Sequence, residues 1–151
     1  MKKLVKPPRL KAGDTVATVS LSSGIAGDAE IRHRYEQGKR RLREVFGLHV
    51  VEMPHTLAGS EYLYAHPEKR AEDLMAAFRD PEIKAVISCT GGNESIRLHP
   101  FVDYRVIADN PKLYSGFSDS TITHFMCYKA GLASLYGPSL PNFIMIKAMA
   151  L

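Results

Sequence analysis

Two cysteines in 151 residues, Cys89 and Cys127, are too few to staple a scaffold together. Their scarcity points to a reduced, cytosolic setting. No apolar stretch approaches the roughly 20 residues that cross a bilayer, so no membrane helix is expected. Met1-Lys2-Lys3 is basic, but Val5-Lys6-Pro7-Pro8-Arg9 breaks any hydrophobic run, so no secretory signal is expected either. The six histidines are scattered, without His-x-x-x-His or Cys-x-x-Cys spacing, and no metal site is expected. No Gly-Lys-Ser/Thr follows a glycine-rich loop, and no Gly-x-Gly-x-x-Gly pattern occurs. The sequence therefore offers neither a P-loop nor a dinucleotide fingerprint, and no cofactor is expected.

What is present reads as one ordinary globular domain. Apolar residues make up 45% and charged residues 24%, enough for one real core. Twenty Lys and Arg against sixteen Asp and Glu leave a net charge of +4. The densest basic run, Lys39, Arg40, Arg41 and Arg43, lies on one helical segment flanked by Glu36 and Glu44. That is the solvated face of an amphipathic helix, so no nucleic-acid surface is expected.

Strand and helix signals alternate along the chain. Thr15–Ser20 is β-branched and apolar on both faces, as in a buried parallel strand. Asp28 can cap a helix over 29–46 with Ile31, Tyr35, Leu42, Val45 and Phe46 inward, ended by Gly47. Leu48–Met53 reads as a second strand, and 55–66 as a polar, mobile connection. Pro67 opens a helix with the stripe Ala71, Leu74, Met75 and Phe78, and Asp80-Pro81 stops it. Lys84–Cys89 is a third strand, followed by short helices near 95–98 and 103–108. Lys112–Ser115 is a fourth strand, and Ser120–Ala130 a helix with Ile122, Phe125, Met126 and Ala130 inward. Ala133–Tyr136 is a fifth. The pattern predicts an α/β fold, a parallel sheet sandwiched between helices in flavodoxin-like or Rossmann-like layering.

In such sheets ligands bind beyond the carboxyl ends of the strands. Three loops, 21–28, 90–95 and 116–120, fall there, and all are rich in Gly, Ser and Asp. Gly116-Phe117-Ser118-Asp119 between a strand and a helix has the layout of a nucleophile elbow. Such a turn lifts a serine hydroxyl above the sheet, beside N–H groups at the helix start. Two residues after the serine the usual glycine is replaced by Ser120. A serine or aspartate at a helix start also serves as a simple cap, which leaves Ser118 and Asp119 with two readings. Thr90-Gly91-Gly92-Asn93 offers a second place where backbone can approach a ligand closely. It serves equally as a strand-to-helix turn. No histidine stands out as a base: His124 lies six residues after Ser118 on the same helix, nearly opposite in phase. His33, His49, His55, His66 and His99 read as surface or structural residues.

Taken in order, these segments resemble the LD-carboxypeptidase family, serine peptidase family S66, which includes the microcin C immunity carboxypeptidases. The resemblance is carried by Leu10-Lys11-Ala12-Gly13-Asp14-Thr15-Val16, Ser20-Leu21-Ser22-Ser23 and Lys69-Arg70-Ala71-Glu72-Asp73-Leu74. It continues through Phe78-Arg79-Asp80-Pro81-Glu82-Ile83-Lys84-Ala85-Val86, Gly91-Gly92, Asp103-Tyr104 and Asn110-Pro111-Lys112. It closes on Gly116-Phe117-Ser118-Asp119 and Tyr136-Gly137-Pro138.

The resemblance implies a serine carboxypeptidase acting on the amide bond to a C-terminal residue. Its substrate would be a small murein peptide or a peptidyl- or aminoacyl-nucleotide. Ser118 would be the nucleophile, and the N–H groups of Asp119 and Gly92 the oxyanion donors, with Gly91 and Asn93 in the same substrate-binding loop. Asn93 and Glu94 depart from the Arg-Gly-Gly-Tyr-Gly version of murein-recycling members and lie closer to the microcin-immunity type.

The family's glutamate and histidine lie in a C-terminal domain. Residues 1–140 are thus expected to be an N-terminal nucleophile domain, and 141–151 the start of a linker in a truncated chain that is inactive by itself. The apolar stretch 143–151 is expected to need cover from a second copy in a homodimer or from another partner. A non-catalytic module holding a carboxylate or phosphate, or a swapped-dimer fragment, is the alternative.

Overall fold

A computed structural model describes residues 3–140. Five parallel strands make one sheet: β1 (Thr15–Val19), β2 (His49–Glu52), β3 (Ile83–Ser88), β4 (Leu113–Gly116) and β5 (Leu135–Tyr136). Their spatial order is β2-β1-β3-β4-β5. This is the flavodoxin-like order of doubly wound sheets, so the expected α/β layering is the one observed. The helices are α1 (Ala29–Phe46), α2 (Ser60–Ala65), α3 (Pro67–Arg79), α4 (Tyr104–Asp109) and α5 (Thr121–Ala130). Short 3-10 turns cover Ile25–Gly27, Ser95–Phe101 and Ser118–Ser120.

The inner strands β1 and β3 are mostly apolar and, apart from Thr15 and Lys84, buried, because both faces of the sheet are covered there. Val16, Ala85 and Ile87 pack with Tyr35 and Leu42 of α1. On the other face Ala17, Val19 and Val86 pack with Leu74 and Phe78 of α3, Ile107 of α4 and Met126 of α5. Burying each of these larger side chains stabilises the fold by about 1.5–3 kcal/mol. Cys89 and Cys127 are free and buried. Burial pushes both thiols up to about 12, which leaves them unreactive. No helix among the described residues is long and apolar enough to cross a membrane.

Three expectations need correction. First, 55–66 is not a loose connection. Leu63 of α2 is completely buried, and Thr56 exchanges hydrogen bonds with β1 and the residue after it. Its hydroxyl donates to Thr18 O at 2.6 Å, and its carbonyl accepts from the Ser20 hydroxyl at 2.7 Å. Second, Asp28 stands at the N-cap position of α1, but its side chain bonds no N–H there. Its carboxylate instead accepts from the Ser60 N–H, at 2.9 Å, and from the Ser60 hydroxyl, anchoring the start of α2. Third, the inward faces of two helices differ. In α1 Tyr35 and Leu42 are buried while Val45 is 58% exposed. In α5 the buried positions are Thr123, Met126 and Cys127, and Phe125 is 64% exposed. Thr123, Met126, Cys127 and Ala130 follow i, i+3, i+4, i+7, the spacing of one helix face. The domain boundary expected at 141 and the apolar stretch 143–151 lie outside the described residues.

Candidate active site

The three loops picked out by composition meet at the carboxyl ends of β1, β3 and β4. The loop after β1 bonds the loop after β3: Ser23 N–H and hydroxyl both donate to Gly91 O, at 3.3 and 2.8 Å. Thr90 returns a bond from its hydroxyl to Ser23 O at 3.1 Å. The loop after β4 joins them through Asp119. Its carboxylate accepts from the Ser22 hydroxyl and from Ser95 N–H, the latter at 2.8 Å. Partial burial opposes ionisation of Asp119, but these bonds outweigh it and hold the carboxyl below its ordinary range. Asp119 therefore caps the 3-10 turn that follows β3, not its own helix.

Ser118 sits at the apex of the turn between β4 and α5. Its φ is +60°, and it is the one described non-glycine residue with positive φ. Such a conformation costs about 1–3 kcal/mol and persists only where its surroundings fix it. Ser118 is exposed, and its side chain caps no helix. The cap reading of Ser118 is thereby set aside. Room for its hydroxyl comes from Gly91: a Cβ there would lie 3.0 Å from both Cβ and Oγ of Ser118 and 3.6 Å from Asp119 N. Gly92, with φ +150°, instead lies against the β1 loop, where a Cβ would meet Ser22 Oγ at 2.5 Å. Asn93 is exposed beside it. Ser120 fills the place where glycine is usual. Its hydroxyl tucks against Ser88 Oγ at 3.1 Å, in space left by Gly116.

Two contributors escaped the sequence reading. Arg70 of α3 is only 1% exposed and runs beneath the loops. Its Nη1 donates to Ser22 O at 2.8 Å, Leu21 O at 3.3 Å and Glu94 O at 3.5 Å. Burial is the main cause that lowers its pKa, with Arg97 adding to it, while Glu94 and Asp119 offset part. An arginine one position before the apolar stripe Ala71-Leu74-Phe78 was the available signal. Ser22, in a loop already noted, is the second.

The histidines stand apart from Ser118. His124 Nε2 donates to Gly116 O at 2.9 Å, and its Nδ1 is hydrogen-bonded with the Ser134 hydroxyl at 2.7 Å. A carbonyl can only accept, so Nε2 carries a proton, and both nitrogens are engaged. Burial lowers its pKa. His55 pairs with buried Asp73 at 2.8 Å, and His66 with Glu68 at 2.8 Å. Among the described residues none bonds the Ser118 hydroxyl. Within the basic run of α1, Arg40 and Arg43 are exposed, whereas Lys39 is largely buried and pairs with Glu52 of β2 at 2.6 Å.

Fold and site define a doubly wound α/β domain with a strained serine on a strand–turn–helix elbow. The model of the LD-carboxypeptidase N-terminal domain matches residues 16–137. The chain belongs to that family, peptidase S66. It is 33% identical over 136 residues to the microcin C7 self-immunity protein MccF of Escherichia coli, covering 89% of this chain and 39% of that protein. To the murein tetrapeptide carboxypeptidase of Pseudomonas aeruginosa it is 35% identical, covering 82% of this chain and 38% of the relative. The crystal structure of an MccF-like protein from Streptococcus pneumoniae in complex with AMP superposes with a TM-score of 0.79 at 37% identity. That match covers 85% of this chain and 38% of the other. The chain thus spans about two fifths of the relatives it matches.

Proposed function

We propose that this chain is the nucleophile-bearing domain of a serine-type carboxypeptidase. Its substrate is a small peptide or peptidyl-nucleotide, cut at the amide bond to the C-terminal residue. The observation that carries the reading is Ser118, exposed at φ +60° with Gly91 cleared in front of its hydroxyl. Family membership supports it.

In this mechanism Ser118 Oγ attacks the amide carbon and gives up its proton. The N–H groups of Asp119 and Gly92 receive the oxyanion. The C–N bond then breaks, the amine leaves with a proton, and water hydrolyses the ester on Ser118. Gly91 and Asn93 border the substrate. The proton needs a base, and His124 has both nitrogens engaged. We assign the base and its orienting glutamate to the remainder of a longer polypeptide. Residues 1–140 are then the nucleophile domain, and 141–151 lead into the linker. By itself this chain should turn over no substrate, since losing a triad member costs several orders of magnitude.

Two substrate classes share this chemistry. A murein tetrapeptide is supported by the Pseudomonas relative, and a peptidyl- or aminoacyl-nucleotide by the AMP complex and by Asn93 after Gly91-Gly92. Two free buried cysteines fit a cytoplasmic setting. A second copy over the apolar stretch 143–151 belongs to the same reading, and solution mass tests it.

The experiment joins the chain to the C-terminal part of a full-length relative, treats the chain alone and the joined protein with a serine-reactive phosphonate, and assays both substrate classes. In the joined protein an adduct on Ser118 and turnover, both absent from Ser118→Ala, are expected, and the chain alone should show neither. Failure of Ser118 to label in the joined protein would favour a module that only holds carboxylates or phosphates. Turnover by the chain alone near that of a full-length relative, lost in Ser118→Ala, would overturn the division of the triad.

A further inference from the structure

A serine at φ +60° relaxes unless its backbone is held from outside. Both polar groups of the Ser118 backbone are held by side chains. Its N–H donates to the Tyr136 phenol oxygen at 3.0 Å, and its carbonyl accepts from the Thr121 hydroxyl at 2.6 Å. We infer that Tyr136 and Thr121 are positioning residues that clamp the elbow from its two sides. The inference deepens the reading of Ser118 as nucleophile and takes its functional meaning from it.

The fold explains why Tyr136 reaches this point. In the β4–β5 register Tyr136 pairs with Gly116, two residues before the serine. Gly137 N–H donates to Gly116 O at 3.1 Å, and His124 Nε2 donates to the same oxygen at 2.9 Å. Gly116 is thereby fixed from β5 and from α5. The Tyr136 ring lies 5.5 Å from the His124 ring, and His124 is itself held by Ser134 just upstream of β5. The two-residue strand β5 thus delivers a phenol oxygen at a set height above the sheet. Tyr136 is 62% exposed, so its ring adds little to the core. Its phenol oxygen is the part that reaches the elbow.

The clamp has a chemical consequence. Rotating Ser118 out of the left-handed region would swing Cβ and Oγ away from Gly91 and from the Asp119 amide. A hydroxyl displaced by even an ångström loses its alignment with the carbonyl it must attack. Tyr136 and Thr121 act through the backbone and need not touch substrate.

The test uses the isotope-labelled chain with Tyr136→Phe and Thr121→Val. In Tyr136→Phe the Ser118 amide should exchange with solvent about tenfold faster and its proton resonance should move upfield, since one hydrogen bond is removed. Amides of β1 and α3 should keep their rates, and the thermal midpoint should stay in place. In Thr121→Val the carbonyl carbon resonance of Ser118 should move. An unchanged Ser118 amide, or equal acceleration across the whole sheet, would overturn the role of Tyr136. An unchanged carbonyl resonance would overturn that of Thr121, and it decides alone if Tyr136→Phe does not fold. These signals do not require Ser118 to react. A Ser118 that never labels with phosphonate therefore counts against the hydrolase reading and leaves the clamp standing, and the converse also holds.

Discussion

The Ser22 hydroxyl donates to the Asp119 carboxylate across 97 residues of sequence, joining the loop after β1 to the loop after β4. The same carboxylate accepts from Ser95 N–H, so one side chain ties three loops. Asp119→Asn keeps the shape and removes the charge. Denaturant unfolding should show a loss of about 1–3 kcal/mol, the usual cost of a weakened charged hydrogen bond. The pH dependence has a definite sign. The Asp119 carboxyl is held below its ordinary range, so its contribution is complete above about pH 4. It is lost as pH falls through the lowered value. The wild-type advantage over Asp119→Asn should therefore be constant at neutral pH and shrink in acid.

Arg70 bears on the same loops from below. It is buried, and its Nη1 satisfies carbonyls of Leu21, Ser22 and Glu94. Arg70→Met fills similar space and leaves those carbonyls without their donor. A loss of about 1–3 kcal/mol is expected by urea denaturation, the usual cost of leaving buried acceptors without their donor. Hydrogen exchange should accelerate first at residues 21–23 and 94–95. Uniform acceleration would mean that Arg70 merely fills the core.

The division between legible and hidden features follows from the range of the interactions. Strands such as Thr15–Val19 and helices such as α3 are written in local periodicity, and all five strands were expected. The three loops could be chosen because strand ends, glycines and small polar residues coincide there. The elbow serine was visible from its place between a strand and a helix. What stayed hidden depends on distant partners. Asp28 looks like a cap until Ser60 comes within reach, and Asp119 looks like one until Ser22 does. The short helix α2 was hidden for the same reason. One buried leucine, Leu63, gives no period to read, and its start is fixed from 32 residues away.

That dependence of α2 on Asp28 is open to test. Asp28→Ala removes the acceptor for both the N–H and the hydroxyl of Ser60. Since Asp28 makes no side-chain bond at the start of α1, the effect should appear at α2. About 1–2 kcal/mol of stability should be lost, near the cost of removing a paired acceptor. Exchange should quicken at residues 60–65 while α1 stays protected. Fraying at residues 29–32 instead would restore Asp28 to the role of a simple helix cap.

Gly91 offers the sharpest separation of site from scaffold. A Cβ at this position would sit 3.0 Å from both Cβ and Oγ of Ser118, tighter than ordinary van der Waals contact. Its φ is not in the left-handed region, so alanine meets no backbone penalty there. The clash is therefore confined to the nucleophile, and relief requires the Ser118 side chain or its loop to move by a few tenths of an ångström. Gly91→Ala should unfold within about 1 kcal/mol of wild type, as surface-loop substitutions without core contacts do. Phosphonate labelling of Ser118, read in the chain joined to the C-terminal part of a full-length relative, should nevertheless fall by at least about tenfold, because small misplacements at a reacting group are costly. Equal labelling in the two proteins would mean that the space in front of Gly91 is not where the hydroxyl meets a carbonyl.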